Sequence, residues 1–366
     1  MIDWFFLVPI GYQFVALIAC VQRVFVKRRE PTAMPPISIL KSVRGADAAF
    51  ESAVISHAFQ DYPHFELLFC VASEDDPAVP IIRKVIEEAP EGRVRLIFQK
   101  TQTPNPKVGA LIDLAREARY DTWLVNDGDI RVPQGYLRTL AAELDQPGVG
   151  LVTALYRARA GYFPGQFEAL GVSTDFAPST LVAPLVGVTE FAMGSTLFFR
   201  KVDLQAVGGF EALADYLADD YQLGRLITQS GKRAVLSACI VETSLGARTW
   251  NEAWAHQVRW ARTIRVSRGG LVGYLGLPVT FGTLWAFVAF FTGNPMMGLI
   301  LFALRFNVCV LAGLMILEDK NVLWRLSLVP LRDLSAVLIW CAGLVGDTVE
   351  WGGRQLKLTR DGRIFS

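Results

Sequence analysis

The sequence predicts an α/β domain built on a mostly parallel sheet, with transmembrane helices at both ends of the chain. Three observations predict it. Between Ile37 and Asn126, four short β-prone apolar runs alternate with stretches of helical period. Two of those runs stop at acidic clusters, at the strand ends where open α/β sheets bind ligands. Long apolar stretches start at Trp4 and at Leu271, each about as long as a bilayer requires.

Composition agrees. The 366 residues are 52% hydrophobic and still 19% charged, as the average of a soluble domain and membrane helices would be. The net charge of +1 gives no global basic character, so nucleic acid is not an expected partner. Nothing in the sequence points to a protein partner. The five cysteines (Cys20, Cys70, Cys239, Cys309, Cys341) are scattered with no CxxC pair, which suggests neither a disulfide framework nor a zinc site.

In chain order, Trp4–Val26 reads as one membrane helix, since its positive charges follow the apolar run and no signal-peptide cleavage pattern closes it. Lys27, Arg28 and Arg29 come next and place the following domain in the cytoplasm. Residues 27–36, with three prolines, read as a linker. The strands expected are Ile37–Leu40, Glu66–Val71, Arg95–Phe98 and Thr122–Asn126, separated by helices near Ala46–Ala58, Val79–Glu88 and Lys107–Arg119. Such alternation implies right-handed βαβ units. Val149–Ala154 and Gly194–Phe199 look like further strands, and Leu217–Gln229 like a helix closed by Gly231. Thr249-Trp250-Asn251-Glu252 fits a capping box that opens a helix to about Ser267. Leu271–Thr292 and Pro295–Leu317 are each one bilayer's worth of residues. Arg305 is costly in lipid and is expected to face protein or headgroups. A third segment, Leu326–Gly346, either spans with snorkelling ends or lies at the interface. The expected domains are therefore 1–26, a membrane helix; 37–268, the soluble domain with an interfacial helix at 250–267; 271–349, membrane segments; and 350–366, a basic tail.

Five places can carry chemistry. Asp127 and Asp129 flank Gly128 at the end of a strand and form a hard-oxygen pair suited to Mg²⁺ or Mn²⁺ shared with substrate phosphates, although Asp-Gly also marks ordinary turns. Asp75 and Asp76 follow another strand and can accept from a uracil N–H or a ribose hydroxyl, or can cap the helix that Pro77 begins. Asn105-Pro106-Lys107 starts a helix whose free N–H groups and lysine suit a diphosphate; a solvated surface lysine is the alternative. Asp219 and Asp220 lie in a first helical turn, where an acid gains from the dipole or serves as a general base toward an acceptor hydroxyl. His256, Arg259 and Trp260 share one helix face, with Arg259 placed for phosphate or carboxylate and Trp260 for stacking on a sugar. Arg262, Arg265 and Arg268 nearby suit a helix lying on anionic headgroups.

The ordered set DDP, NPK, DxD, ADDY and xxxRW, followed by membrane helices, resembles family 21 glycosyltransferases, the ceramide glucosyltransferases and their bacterial, including hopanoid-associated, relatives. The resemblance covers Ile37 to about Arg268 and the membrane layout at both ends. It implies a GT-A fold, a nucleotide-diphosphate sugar donor, an inverting mechanism and a divalent cation. Carried over by position, Asp76 is implied to contact the nucleoside, Asp127 and Asp129 to hold the metal, and Asp220 to act as catalytic base. Arg259 and Trp260 match the RW of (Q/R)xxRW, with His256 standing where the pattern has Gln or Arg. The expectation is an integral membrane enzyme, in a bacterial inner membrane with its catalytic domain cytoplasmic, that takes a UDP-sugar donor and a lipid acceptor. A processive polysaccharide synthase and a non-catalytic sugar-nucleotide sensor are the rivals.

Overall fold

The computed structural model describes residues 3–267, 271–351 and 354–365. Arg268, expected at the end of the arginine stripe, lies outside them. The chain forms α1 (Asp3–Val24), β1 (Ile37–Ser42), α2 (Phe50–Ala58), β2 (Phe65–Val71), α3 (Ala78–Glu88), β3 (Val94–Phe98), α4 (Pro106–Glu117) and β4 (Thr122–Val125). Then follow α5 (Tyr136–Leu144), β5 (Val149–Arg159), α6 (Phe163–Gly171), a π-helical turn (Val172–Phe176), α7 (Ala177–Leu185), β6 (Leu197–Arg200), α8 (Lys201–Gln205), α9 (Asp219–Gln229) and β7 (Arg233–Ser244). The last part holds α10 (Trp250–Ser267), α11 (Leu271–Leu275), α12 (Gly282–Phe291), α13 (Pro295–Val310), α14 (Asn321–Arg325), α15 (Val329–Leu344), β8 (Thr348–Trp351), β9 (Arg354–Leu358) and β10 (Ile364–Phe365).

These elements fall into two compact units. One comprises Lys27–Tyr156, Thr189–Gly246 and Gly362–Ser366; the other comprises Met1–Val26, Arg157–Val188 and Ala247–Asp361.

The first unit is organised by a seven-stranded sheet in the order β3-β2-β1-β4-β6-β5-β7. Strands β3, β2, β1 and β4 are parallel neighbours, and β6 runs antiparallel to both β4 and β5. The βαβ reading thus holds for the first half, and the sheet becomes mixed beyond β4. β2 is buried along its whole length, which is why, Glu66 apart, its sequence is an apolar run instead of an alternating one. The core places Leu40, Leu68 and Val125 from the strands against Val108, Leu111 and Leu114 of α4, with Trp123 stacked on Phe210 at 5.9 Å. Because β2, β1 and β4 are parallel, the loops after all three emerge along the same edge of the sheet. The segments carrying Asp76, Asp127 and Asp129 leave the sheet there.

In the other unit, three helices among the described residues are long and apolar enough to cross a membrane: Trp4–Val24, Pro295–Ile316 and Asn321–Leu344. The last joins α14 and α15 into 24 residues, longer than its uninterrupted apolar core in sequence. The expected span Leu271–Thr292 is not one helix. It breaks near Phe281 into two pieces bent by 69°. Phe6 of α1 packs with Ala286 and Ala289 of α12 and Leu301 of α13. Arg305 faces protein and not headgroups: it is buried, bonded to Asp333 at 2.5 Å and to Asp175 of the π-helical turn. The capping box forms as read, with the Thr249 amide donating to Glu252 and the Glu252 amide to Thr249. Arg262 and Arg265, expected on anionic headgroups, also bond to protein. Their guanidinium groups donate to the carbonyls of Leu344, Val345 and Gly346, at the end of α15, and of Thr348, the first residue of β8. In and just before the terminal basic segment, β8 pairs antiparallel with β9.

Candidate active site

The site is built at the start of α4. Asn105 is buried and accepts from the amides of Lys107 (3.0 Å) and Val108 (3.4 Å), while its Nδ2 donates to the Tyr216 carbonyl (2.7 Å). Pro106 in the first turn lacks an amide that would otherwise be unsatisfied. The consequence differs from the sequence reading: Asn105 already occupies two of the N–H groups expected to face a diphosphate. What the helix start presents is the Lys107 side chain. Its Nζ lies 2.8 Å from Asp127 Oδ1 and 3.1 Å from Asp219 Oδ2, so it is a largely buried ion-pair partner and not a solvated surface lysine. Burial alone would lower its pKa, but the carboxylates of Asp127, Asp219 and Asp220 outweigh burial and raise it, so the group stays charged.

Asp127 begins the loop after β4. Its amide donates to the Gly194 carbonyl at 3.0 Å, and the Gly194 amide donates to Asp220 Oδ2 at 2.7 Å. Gly194 therefore links the two acids. A Cβ at this position would stand 2.7 Å from Asp127 Oδ2, so a larger residue would push the Asp127 carboxylate out of place. Asp220 also accepts from the Tyr221 amide at 2.7 Å. Asp219 is buried beside Lys107, whereas Asp220 keeps part of its surface exposed. Asp219 is thus more than a helix-dipole charge. Burial and the neighbouring Asp219 push the Asp220 carboxyl up to about 6, against the pull of Lys107.

Asp129 accepts from the Thr243 hydroxyl on β7. Burial, and then the charge of Asp127, raise its pKa. Below this loop, Lys41 of β1 is fully buried, with Nζ 3.5 Å from both His57 Nε2 and the Ile130 carbonyl. Burial lowers its pKa to about 7, although Asp129 and Asp127 act to raise it. Asn126 anchors the loop, donating to the Ser195 carbonyl (2.6 Å) and Tyr136 Oη (3.1 Å).

The residues present fit a divalent cation. Among the described residues no group of three or more His, Cys, Asp or Glu side chains is arranged to hold a metal by itself. Asp127 and Asp129 offer two hard-oxygen donors that repel one another, which is the partial set expected when a diphosphate completes the coordination.

Asp76 is engaged locally. Its carboxylate accepts from the Gly45 amide at 3.0 Å and the Ala78 amide at 2.9 Å, tying the loop after β1 to the start of α3. The capping role expected as one alternative is therefore present. No contact joins Asp76 to the Lys107 cluster among the described residues.

His256, Arg259 and Trp260 belong to the other unit. The His256 and Trp260 rings lie 5.1 Å apart on α10, as their spacing predicts. His256 Nδ1 is 2.6 Å from Oε1 of Glu168 on α6, and Arg248 Nη1 holds the same carboxylate at 2.9 and 3.0 Å.

The sequence profile of glycosyl transferase family 21 matches residues 2–364. The chain belongs to this family. Relatives similar to it include ceramide glucosyltransferases 1 and 3 of Caenorhabditis elegans. The first is 31% identical over 212 residues, 57% of this chain and 45% of the relative; the second is 28% identical over 228 residues, 61% and 49%. The match thus spans about half the length of these relatives. The fold resembles that of a mannosyltransferase from Pyrobaculum calidifontis solved in complex with GDP-Man and Mn²⁺, with a TM-score of 0.55 over 92% of this chain and 95% of that one. At 16% identity that likeness is one of fold.

Sequence reasoning missed Gly194, Thr243, Lys41 and Glu168. A lysine inside the apolar run ISILKS was the available signal for Lys41, and Gly-Ser-Thr opening a strand was the one for Gly194. Thr243 and Glu168 carry no local signal, since only the fold brings them to Asp129 and His256.

Proposed function

We propose that this protein is an inverting glycosyltransferase that moves a hexose, glucose or N-acetylglucosamine, from a UDP-sugar to the hydroxyl of a lipid such as ceramide or a hopanoid polyol. The observation that carries the reading is Asp220: a half-buried residue whose carboxyl pKa is pushed up to about 6, fixed by Gly194 beside the Lys107–Asp127 pair. A base poised near working pH is what activation of a neutral hydroxyl needs. Family membership and the ceramide glucosyltransferase relatives support a lipid acceptor.

In this reading Asp220 takes the proton of the lipid hydroxyl as its oxygen bonds to the anomeric carbon. The bond from that carbon to the diphosphate breaks on the opposite face, and UDP leaves. Lys107 stabilises the charge that develops on the diphosphate. Asp127 and Asp129 would hold Mn²⁺ or Mg²⁺, which when bound supplies Lewis-acid neutralisation of the leaving group. Asp76 retains acceptor capacity toward a nucleoside, since a carboxylate offers about four lone-pair sites. His256, Arg259 and Trp260 contact acceptor or phosphate. The apolar helices anchor the enzyme in a membrane, and Lys27, Arg28 and Arg29 support a cytoplasmic catalytic domain at a bacterial inner membrane.

The test is incubation of the purified full chain with labelled UDP-glucose and UDP-N-acetylglucosamine against ceramide, diacylglycerol and hopanepolyol, with products read by mass and anomeric configuration by NMR. Transfer with inversion is expected. No lipid product from either donor, or retention at the anomeric carbon, would overturn the reading.

A further inference from the structure

His256 stands where the family pattern has Gln or Arg, and the structure gives it a partner. Glu168 is 3% exposed. A buried carboxylate is tolerated only when paired and hydrogen-bonded. Arg248 supplies the pairing, with Nη1 at 2.9 and 3.0 Å from the two oxygens. The remaining strong contact is His256 Nδ1 at 2.6 Å. Arg248 Nη1 also lies 3.1 Å from Nδ1, but guanidinium is donor-only and already donates to the carboxylate. An ionised carboxylate is acceptor-only, so the proton of this short contact sits on Nδ1. The Trp260 ring at 5.1 Å, itself 6.0 Å from Phe176, packs against the imidazole.

The charged groups facing the ring are Glu168 on α6, Arg248 just before α10 and Arg259 on α10. Burial lowers the His256 pKa, Glu168 opposes that, and Arg259 and Arg248 add to it; the net direction is downward. That direction favours the neutral ring. Glu168 stays ionised: its pKa is lowered by His256 and Arg248 in spite of burial. A neutral ring with Nδ1–H has a lone pair on Nε2, and among the described residues Nε2 makes no hydrogen bond to protein.

We propose that Glu168 is a positioning residue that locks the His256 ring with its proton on Nδ1, so that Nε2 is a hydrogen-bond acceptor for a hydroxyl or amide N–H of the acceptor lipid. The inference rests on the reading of His256 as an acceptor contact. It narrows the ligand. Arginine at this position would offer only donors, whereas the locked imidazole offers only an acceptor, so the lipid must bring an O–H or N–H.

The test has two arms, both on the full chain in nanodiscs. Nitrogen-15 NMR of histidine-labelled protein reads the tautomer without any turnover, and the chain has only two other histidines, His57 and His64. His256 should be neutral with Nδ1 protonated at pH 7. In Glu168→Gln it should drift toward the Nε2–H form that free imidazole prefers. In the second arm, Glu168→Gln should raise KM for the lipid roughly tenfold, the size of one hydrogen bond, while KM for the sugar nucleotide stays unchanged. Glu168→Asp should recover part of the loss. An Nε2–H tautomer or an imidazolium in the wild type overturns the proposal, and that measurement stands even if Glu168→Gln fails to fold. An unchanged lipid KM beside the expected tautomer shift overturns it too. A wild type that glycosylates no lipid overturns the functional reading, and the ligand assigned to Nε2 with it, while the lock by Glu168 is judged by the spectrum alone.

Discussion

The amide of Gly194 donates to Asp220 Oδ2 at 2.7 Å, and the same residue's carbonyl accepts from the Asp127 amide. One peptide segment thus sets the spacing between the acid expected to take a proton and the acid expected to hold a metal. A Cβ here would press on Asp127 Oδ2. Gly194→Ala should lower turnover on the order of 10²-fold, as sub-ångström misplacement of reacting groups does. Its thermal unfolding should stay close to wild type. Steady-state kinetics beside a melting curve checks both.

Asp220→Asn keeps size and removes basicity. Turnover should fall by about 10²–10⁴-fold with little change in UDP-sugar affinity. Asp219→Asn has a different signature. Asp219 pairs with Lys107 at 3.1 Å, so its loss loosens the lysine and should weaken donor binding more than turnover. If Asp219→Asn loses turnover and Asp220→Asn does not, the base is assigned one residue off.

The pH profile follows from the direction of the Asp220 shift. A general base works deprotonated, so kcat should rise with pH and level off above about 6, where burial and Asp219 have placed the carboxyl. Removing the Asp219 charge removes one of the causes that raise it. The acid limb of Asp219→Asn should therefore move to lower pH. A limb that stays in place or moves upward would show that another group titrates there.

Asp127 and Asp129 should hold the cation jointly. Asp129→Ala should weaken metal-dependent UDP binding by roughly 10–100-fold, the loss of one charge-assisted contact, and leave metal-free binding unchanged. Calorimetric titration of UDP with and without Mn²⁺ separates the two. Equal metal dependence in the variant and the wild type would remove Asp129 from the metal site.

Asp333 is fully buried and bonds Arg305 at 2.5 Å and the Thr283 amide at 2.9 Å. Asp333→Ala leaves Arg305 with Asp175 as its one remaining carboxylate and the Thr283 amide without its acceptor, and should cost about 1–3 kcal/mol of stability. Arg305→Met combined with Asp333→Leu should recover part of that, because the pair leaves together while Asp175 keeps Arg332 at 3.7 Å. Unfolding in detergent, followed by the accessibility of the buried Cys309, reads the difference.

The strands from β1 to β4 and the helices between them were legible because burial of β1, β2 and β4 makes their sequences mostly apolar, and Asn-Pro and Asp-Asp-Pro punctuate the helix starts. β7 was not, since its residues alternate between buried and half-exposed and include Arg233, Glu242 and Thr243. α6 and α7 were also missed, their apolar and proline-containing sequence carrying no clear helical period. In the site, Asp127, Lys107 and Asp220 could be found because each lies at an element boundary with a local signature. Their mutual contacts could not, because Gly194 and Asp219 act through distances that only the fold sets. The Glu168–His256 pair is 88 residues apart in sequence, and no periodicity reaches so far.

The break near Phe281 bears on how such chains can diverge. Residues 271–292 read as one apolar stretch, yet α12 begins inside it, and Asp333 meets the amide that this start exposes. Gly282 sits so close to Arg305 that an added Cβ would lie 3.0 Å from that side chain. The bend, the glycine, the aspartate and the arginine therefore form one heritable unit: a relative that straightens the bend is free to lose both charges, and one that keeps the bend must keep an acceptor opposite residue 283. Aligned homologues should show these four positions changing together, although about fifty residues separate the bend from the acid that serves it.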